Sequence, residues 1–383
     1  MIQNPPIYNN SIVDPVFNTA TYYFKDTAQV VQYHEDQVQL GRYGRYDNPT
    51  WLEPEEKIAQ LNGYDDSLLF RSGMSAITTS ILSLVREGER VIFSGNCYRN
   101  TYKFFCNILP RYGLEAVPVF GATPEEFVTN FVKNYTKNTW IVFLEAPSNP
   151  HLYLIDIEAI KRQLSPNTLL IVDPTFASPI NFHPKEYGID LVIHSCSKYI
   201  GGHADLIAGS VSGSKELIET IRNFRNIMGT VIDPNSAFLL NRSLATLSMR
   251  MSYINQATQT LAEYLEQHPK VSRVFYTGLP THPYYDLGQK YLKGHGGVIS
   301  FEIEGSKTDT TKFIDSLKIP YIGSNFGSQH SMIEQCSIFT YYHQSESERQ
   351  TLGISDTLIR FCLGFEPVED IIADFENAFL FFD

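Results

Sequence analysis

The sequence predicts an α/β fold with a mostly parallel sheet between helices in a large domain, followed by a smaller C-terminal α+β domain. Two observations lead to this prediction. Between about residues 50 and 235, short apolar runs typical of buried strands alternate with helix-like segments. From about residue 240 onward, a long helix-like run precedes two strand-like segments and a last helix.

Five strand candidates in the first part of the chain share one pattern, an apolar run followed at once by small or polar residues. They are DSLLF, RVIFS, WIVFL, LLIVD and DLVIHS. Helix-like stretches such as AITTSILSLVREG and DIEAIKRQL lie between several of them. Apolar strands separated by helices predict a parallel sheet covered on both faces.

Three domains or segments are predicted along the chain. Residues 1–45 form an N-terminal arm, rich in Asn, Pro and Tyr, and the arm is expected to be extended. Because the arm has too little periodicity to build a core of its own, it is expected to pack on another subunit or domain, and a neighbouring subunit is the prediction. Residues 46–238 form the large domain, and residues 239–383 form the smaller domain.

The composition excludes several kinds of partner. The chain has 383 residues, 30 of them basic and 42 acidic, so its net charge of −12 repels nucleic acid and anionic membranes. Five scattered cysteines without a CxxC pair, and ten histidines without ligand spacing, predict neither disulfides nor a metal site. The N-terminus lacks the features of a signal peptide, and no apolar run reaches the ~18 residues of a membrane span. A cytoplasmic protein is expected.

Chemically capable side chains follow the predicted strands. In an open α/β sheet, ligands bind beyond the carboxyl ends of the strands. Those ends carry Ser72, Gly73, Met74, Tyr98, Glu145, Asn149, Asp173, Ser195, Ser197 and Lys198. A dinucleotide-binding enzyme would have similar strands, but no glycine fingerprint follows any of them. The active site is therefore expected at this edge, with a different cofactor.

Lys198 lies in DLVIHSCSKYIGGHADLIAG, with strand-like segments on both sides. Burial at the end of a strand would lower its pKa and favour the neutral amine that a Schiff base requires. The alternative is a surface lysine in a turn made by Gly201 and Gly202.

Asp173 and the turn Ser72–Gly73–Met74 each have two interpretations. A buried carboxylate at the end of LLIVD could pair with a protonated pyridine nitrogen, but an Asp before Pro174 is also a common turn residue. The glycine turn could bring a helix N-terminus to a phosphate, or it could simply connect a strand to a helix.

Four further residues are candidates for ligand contact. Tyr98 could stack on a flat ring, or be one of many core tyrosines. Tyr43 and Arg45 could donate to a phosphate, or form a solvated turn. Arg360, inside the apolar segment DTLIRFCLG, needs an anionic partner, which a substrate carboxylate or a protein carboxylate would supply.

Together these motifs resemble the Cys/Met-metabolism family of pyridoxal 5′-phosphate (PLP) enzymes, the trans-sulfuration enzymes with an aspartate-aminotransferase-like fold. The most specific block is HSCSKYIGGHADLIAG, similar to the family's HS-x-(S/T)-K-(Y/F)-x-x-GH-x-D-x-x-x-G. The segments YGRYDNPT, SGM, EAPSNP, DPTFASP and GISDTLIRFCLG occur in the family's order.

The resemblance implies a role for each site residue. Lys198 would bind PLP covalently and carry protons, together with Tyr98, whose ring would stack on the cofactor. Asp173 would bind the pyridine nitrogen, and Asn149 would lie near the ring oxygen. The phosphate would be held by Gly73, Met74, Ser195 and Ser197, and by Tyr43 and Arg45 from a neighbouring subunit. Arg360 would bind the substrate carboxylate, and the family's typical assembly is a homotetramer of dimers that share active sites.

Several stretches, such as NCYRNTYKFF and TKFIDSLKIPYI, are most similar to plant-type cystathionine γ-synthases. This implies γ-replacement on an O-acyl or O-phospho homoserine by a thiol. A C–S lyase of the same family, acting by β- or γ-elimination, and a non-catalytic PLP-binding homologue are the alternatives.

The sequence departs from the family in the expected substrate pocket. His330 stands at the position expected for a glutamate that influences substrate choice, and Asn325 replaces a serine. His330 and Ser331 are therefore predicted to contact the substrate. Arg71 and Pro174 are departures beside the cofactor residues.

Overall fold

A computed structural model describes residues 12–35, 37 and 41–380. The first part of the chain forms a seven-stranded sheet. Its strands are β1 (Asp66–Phe70), β2 (Arg90–Ser94), β3 (Glu115–Val119), β4 (Thr139–Glu145), β5 (Leu169–Asp173), β6 (Leu191–Ser195) and β7 (Gly209–Gly213). All five strand candidates are present, and β3 and β7 were not among them.

The strand order in this sheet is β1-β7-β6-β5-β4-β2-β3. Strand β7 runs antiparallel to both of its neighbours, and the remaining pairs are parallel. The sheet is therefore mostly parallel, as predicted. From β2 the chain first adds β3 on one side and then β4 on the other, so the order reverses between β2 and β4. Such a reversal opens a crevice at the carboxyl ends of the two strands.

Both faces of this sheet are buried, which explains why its strands are continuously apolar. Along β4, Ile141 and Phe143 pack into the same hydrophobic cluster as Phe93. Val142 and Leu144 pack into a second cluster. Successive strand side chains point to opposite faces, so a strand covered on both sides alternates between two apolar cores.

The described residues of the first part of the chain form eight α-helices, most of which cover the sheet or connect its strands. They are α1 (Thr27–His34), α2 (Pro49–Asn62), α3 (Gly73–Leu84), α4 (Arg99–Lys103), α5 (Pro124–Asn134), α6 (Ile157–Lys161), α7 (Ser178–Asn181) and α8 (Lys215–Met228). A π-helical turn (Phe104–Ile108) and 3₁₀ turns (Leu109–Tyr112 and Pro184–Tyr187) complete the connections. No helix within the described ranges is both long enough and apolar enough to cross a membrane.

The arm contains one helix, although it was expected to be extended. Helix α1 begins after Asp26, whose carboxylate accepts a hydrogen bond from the main-chain N–H of Gln29 (2.9 Å). No side chain of α1 is buried. The cap therefore stabilises a local helix without a core of its own. Residues 1–11, at the start of the predicted arm, lie outside the described residues.

The second part of the chain builds a five-stranded sheet of order β10-β11-β12-β9-β8. Its strands are β8 (Val271–Phe275), β9 (Val298–Ile303), β10 (Tyr321–Ile322), β11 (Met332–Gln335) and β12 (Leu358–Cys362). Its helices are α9 (Pro234–Leu244), α10 (Leu247–Gln267), α11 (Tyr285–Tyr291), α12 (Lys307–Ser316), α13 (Glu346–Thr351) and α14 (Val368–Phe379). The expected long helix is thus divided into α9 and α10. Residue 238 lies inside α9, and the predicted domain limits stay predictions.

A buried ion pair joins three elements of the large sheet layer. Arg225 of α8 donates hydrogen bonds to the carboxylate of Glu55 in α2 (3.1 Å) and to the carbonyl of Leu69 in β1 (2.8 Å). The other partner in this cluster is the N–H of Leu69, which donates to Glu55 (2.8 Å). Arg222 lies 3.9 Å from the other carboxylate oxygen, so removing the Arg225 guanidinium would leave the buried carboxylate with only this more distant counter-charge.

We therefore expect Arg225→Met to lower the free energy of unfolding by about 3–5 kcal/mol, measured by urea denaturation. The double variant Arg225→Met/Glu55→Gln should recover part of this loss, because it also removes the carboxylate charge that has lost its nearer partner. As a control, Lys57→Met breaks the exposed Lys57–Glu53 pair and should cost less than about 1 kcal/mol. Equal losses for the two single variants would contradict this interpretation.

Candidate active site

A cavity of about 1040 Å³ opens at the carboxyl ends of the large sheet's strands. It brings together all ten residues that the sequence placed at those ends. They are Ser72, Gly73, Met74, Tyr98, Glu145, Asn149, Asp173, Ser195, Ser197 and Lys198. The second sheet contributes Arg360 from β12, and the loop before β11 contributes Ser324, Asn325 and Phe326. The cavity therefore lies between the two sheets.

One end of the cavity is built to hold an anion. Helix α3 begins there, and the hydroxyl of its N-cap residue Ser72 accepts a hydrogen bond from the N–H of Ser75 (3.0 Å). At Gly73, a Cβ would lie only 2.9 Å from the Cβ of Ser195. Glycine is thus required for α3 to approach β6 this closely. The hydroxyls of Ser195 and Ser197 line the same cavity, and a helix N-terminus favours negative charge.

Asp173 ends β5 with its carboxylate buried beside the cavity. Burial raises the pKa of Asp173 to about 6, although hydrogen bonds from Thr175 lower it in part. The N–H of Thr175 donates to Asp173 (3.0 Å), and so does the Thr175 hydroxyl (2.5 Å). The same hydroxyl accepts from the N–H of Ser195 (2.9 Å). Thr175 therefore fixes Asp173 relative to β6 and supports its ionised form.

Tyr98 stands at the start of α4, in the loop that follows β2. Its ring lines the cavity and is half exposed. Its main-chain N–H donates to the carboxylate of Glu145 at the end of β4 (2.8 Å). The loop after β2 is thus anchored to the end of β4, and it presents an aromatic ring to the cavity.

Lys198 follows β6, and its side chain is largely withdrawn from water. Burial, with a smaller contribution from the positive charge of Arg360, lowers the pKa of Lys198 to about 8. Its ammonium group donates to the side-chain oxygen of Asn325 and lies 5.0 Å from the centre of the Phe326 ring. A lysine with this pKa is about one-tenth neutral at pH 7, a far larger fraction than for an ordinary lysine. The neutral amine is the nucleophilic form. The alternative of a surface turn lysine is wrong.

Arg360 has both protein partners and a free donor. Its guanidinium lies 3.0 Å from Glu334 of β11, and it donates to Asn149 (2.9 Å) and to the carbonyl of Ser324 (2.7 Å). Its Nε is buried without a hydrogen-bond partner. A protein carboxylate thus compensates the buried charge, and one donor remains available on a residue that lines the cavity.

Tyr43 and Arg45 lie away from this cavity. They line a second cavity of about 510 Å³, together with Asn48, Trp51 and Arg71. The guanidinium of Arg45 lies 5.1 Å from the centre of the Tyr43 ring. Within one copy of the chain, neither residue lies beside Lys198, and their predicted contact with a phosphate in a neighbouring subunit stays a prediction.

The structure does not bring His330 and Ser331 into the cavity. His330 is more than half exposed and lies 3.8 Å from Glu366. Ser331 is buried, donates to Glu366 (2.8 Å) and accepts from the N–H of Gly364 (2.9 Å). Their hydrogen-bonding groups face the turn after β12, so this geometry lends no support to substrate contact.

The sequence interpretation missed Thr175 and Ser324. Thr175 could have been found as the hydroxyl two residues after Asp173, a spacing that lets it donate back to the carboxylate. Ser324 directly precedes Asn325, and its carbonyl holds Arg360. No local signal marks it, because its place in the cavity depends on the pairing of β11 with β12.

The model of a family described as Cys/Met metabolism PLP-dependent enzyme matches residues 2–380. The chain belongs to this family. It is 41% identical over 376 residues to cystathionine gamma-synthase 1, chloroplastic, of Arabidopsis thaliana, which covers 97% of this chain. The chain spans 66% of the length of that protein, just under two thirds.

Two further comparisons cover most of both chains. Probable cystathionine gamma-synthase 2 of Arabidopsis thaliana is 40% identical over 370 residues, which is 96% of this chain and 89% of that protein. The structure of cystathionine gamma-lyase from Lactobacillus plantarum, complexed with L-serine, has a TM-score of 0.86 and 30% identity. It covers 96% of this chain and 93% of that one. The predicted aspartate-aminotransferase-like fold and the predicted PLP enzyme class are thereby confirmed.

The cavity residues fit PLP. A close approach that only glycine permits places the N-terminus of α3 beside two serine hydroxyls, where a phosphate would be held. The buried carboxylate of Asp173 suits a protonated pyridine nitrogen, and Lys198 supplies the amine. The unpartnered Nε of Arg360 suits a substrate carboxylate. The chemistry of the donors therefore agrees with the family's cofactor.

Proposed function

We propose that this chain catalyses γ-replacement on an O-activated homoserine, acylated or phosphorylated, with a thiol as the nucleophile. The observation that carries this proposal is the 40–41% identity to two proteins named cystathionine gamma-synthase, over nearly the whole of this chain. The cavity supports it, because a buried arginine and a largely buried lysine with a lowered pKa line a common space.

Each residue has a defined task in this reaction. Arg360 binds the α-carboxylate of the amino acid through its free Nε, and Asn149 holds the guanidinium in place. Lys198 takes a proton from the α-carbon as a neutral amine, and Tyr98 serves as a second proton carrier near the same carbon chain. When bound, PLP absorbs the negative charge left on the substrate after proton removal. A proton is then removed from the β-carbon, and the C–O bond at the γ-carbon breaks as the acyl or phosphate group leaves as an anion. The thiol loses its proton and forms the C–S bond at the γ-carbon, and protons return to the β- and α-carbons.

We further propose a homotetramer built from dimers in which Tyr43 and Arg45 reach the phosphate of the neighbouring subunit. In one copy of the chain these residues line a separate cavity, which leaves them available to another subunit. A cytoplasmic location is proposed as well.

A C–S lyase is the second candidate. The structure of a cystathionine gamma-lyase superposes on nearly the whole chain, and elimination requires the same arginine and lysine. In that case the products would be an oxo acid and ammonia, and no thioether would form.

Incubation with O-phospho- or O-acyl-homoserine, with and without cysteine, separates the two reactions. We expect a thioether product, detected by mass spectrometry, and a fall in 2-oxobutanoate when cysteine is added, because thiol addition competes with elimination. If 2-oxobutanoate forms at the same rate in both samples and no thioether appears, replacement is excluded and elimination is the reaction. The Lys198→Ala variant is the control for background chemistry.

A further inference from the structure

Glu145 is a second buried carboxylate directly beside Asp173. Strands β4 and β5 are parallel neighbours, and their register pairs Glu145 with Asp173. Glu145 is 4% exposed and Asp173 is 7% exposed, and both line the cavity. The proposed reaction assigns Glu145 no task.

The partners of Glu145 are few. One carboxylate oxygen accepts from the N–H of Tyr98 (2.8 Å), and the other is buried without a hydrogen-bond partner. In the part of the chain that the structure describes, no ion pair with arginine, lysine or histidine includes Glu145. An ionised carboxylate in this position would therefore lack compensation.

Two adjacent buried carboxylates do not both ionise readily, because each charge opposes the other. Asp173 is the better anion, since it accepts two hydrogen bonds from Thr175, whereas Glu145 accepts one from Tyr98. Burial, followed by the charge of Asp173, raises the pKa of Glu145 well above its ordinary value. The proton of the pair thus resides on Glu145.

The other titratable groups around Glu145 do not supply a positive charge. They are Asp173 from β5, Cys97 and Tyr98 from the loop after β2, and Tyr341 from the segment after β11. A carboxyl, a thiol and a phenol carry no positive charge in any protonation state, so none of these groups favours an ionised carboxylate at Glu145.

We propose that Glu145 is a positioning residue for the cofactor: as a neutral carboxylic acid it anchors the main chain of Tyr98 and leaves Asp173 as the one negative charge of the pair. Its protonated form avoids repulsion beside Asp173 while it keeps an oxygen for the Tyr98 N–H. The ring of Tyr98 and the carboxylate of Asp173 are thereby held in fixed positions relative to each other. The inference depends on PLP binding and is independent of the choice between replacement and elimination.

Infrared spectroscopy of the purified holoenzyme at pH 8 tests the proton directly. Glu145→Gln keeps the size and the oxygen acceptor, and its difference spectrum against wild type should show the loss of one protonated-carboxyl C=O band. Asp173→Asn is the matched control, because it removes a carboxyl that is ionised at this pH. The band should remain in this variant, since burial contributes more than the charge of Asp173 to keeping Glu145 protonated. If Glu145→Gln instead removes a carboxylate band, the proposal is overturned.

Cofactor affinity, measured by quenching of protein fluorescence when PLP is added to the cofactor-free protein, tests the positioning. We expect Glu145→Gln to change the dissociation constant by less than about threefold, whereas Glu145→Leu, which lacks the acceptor for Tyr98, should weaken binding by about tenfold. Equal weakening by Glu145→Gln and Asp173→Asn would overturn the proposal. The wild-type enzyme gives an independent test if a variant fails to fold: a protonated-carboxyl band must be present at pH 8, and its absence is decisive against the proposal.

Discussion

Replacing Lys198 with alanine should reduce kcat on the order of 10⁴-fold and abolish covalent attachment of PLP. Lys198 lines the cavity together with Asp173 and Arg360. Among the described residues of this cavity, it is the only lysine whose pKa is lowered by burial. No neighbouring side chain supplies an equivalent amine, because Asn325 and Phe326 are the groups in contact with it. Steady-state kinetics and the absorbance of the bound cofactor measure both effects.

The matched control is Lys185→Ala, which removes an exposed lysine whose nearest carboxylate is 3.8 Å away. Its kcat should stay within about twofold of wild type, because surface substitutions away from the site have small effects. A Lys198→Ala enzyme that retained more than a tenth of the wild-type kcat would contradict the role assigned to Lys198.

Replacing Asp173 with asparagine should lower kcat by about 10²–10³-fold, which is typical for the loss of one preorganised electrostatic partner. The asparagine keeps the size of the side chain but removes the charge that a protonated ring nitrogen requires. Affinity for PLP should fall by about 10–100-fold, because a hydrogen bond to a charged group contributes about 1.5–3 kcal/mol. Titration of cofactor-free protein with PLP measures the affinity.

Although Asp173→Asn should lower activity and PLP affinity, it should not destabilise the cofactor-free protein at pH 8. Burial raises the folded-state pKa of Asp173 to about 6, above its ordinary value of 3.8. The contribution of this carboxyl to stability is therefore complete below its ordinary pKa and is lost as the pH rises through about 6. At pH 8 the variant should be as stable as wild type or more stable, by urea denaturation. A large loss of stability at pH 8 would show that Asp173 acts mainly as a structural residue.

The sequence allowed the main part of the fold to be predicted because buried strands are apolar on both faces. The two strands of the large sheet that were not among the candidates lack this signal. β3 (EAVPV) is at the edge of the sheet and contains Pro118, and an edge position tolerates both proline and charge. β7 (GSVSG) is fully buried, but its residues are small because neighbouring atoms lie too close for larger side chains. For example, a Cβ at Gly209 would lie 2.3 Å from the carbonyl oxygen of Ser72. Such crowding is not visible along the chain.

The sequence also indicated most of the cavity wall, because parallel strands deliver their carboxyl ends to one edge. Asp173, Ser195 and Lys198 are placed by this rule alone. The positions of residues from the second sheet cannot be predicted by this rule, because they depend on how the two sheets pack together. The family resemblance led to the expectation of His330 and Ser331 in the cavity, whereas Ser324, Asn325 and Phe326 are the residues of that segment that line it.

The central claim is that the amine of Lys198 binds PLP covalently in this cavity. Borohydride reduction of the holoenzyme, followed by proteolysis and mass spectrometry, measures this bond. The predicted result is a pyridoxyl group on the peptide that contains Lys198, and an unmodified peptide in a sample that was not reduced. A pyridoxyl group on another lysine, or no modified peptide from fully loaded enzyme, would contradict the claim.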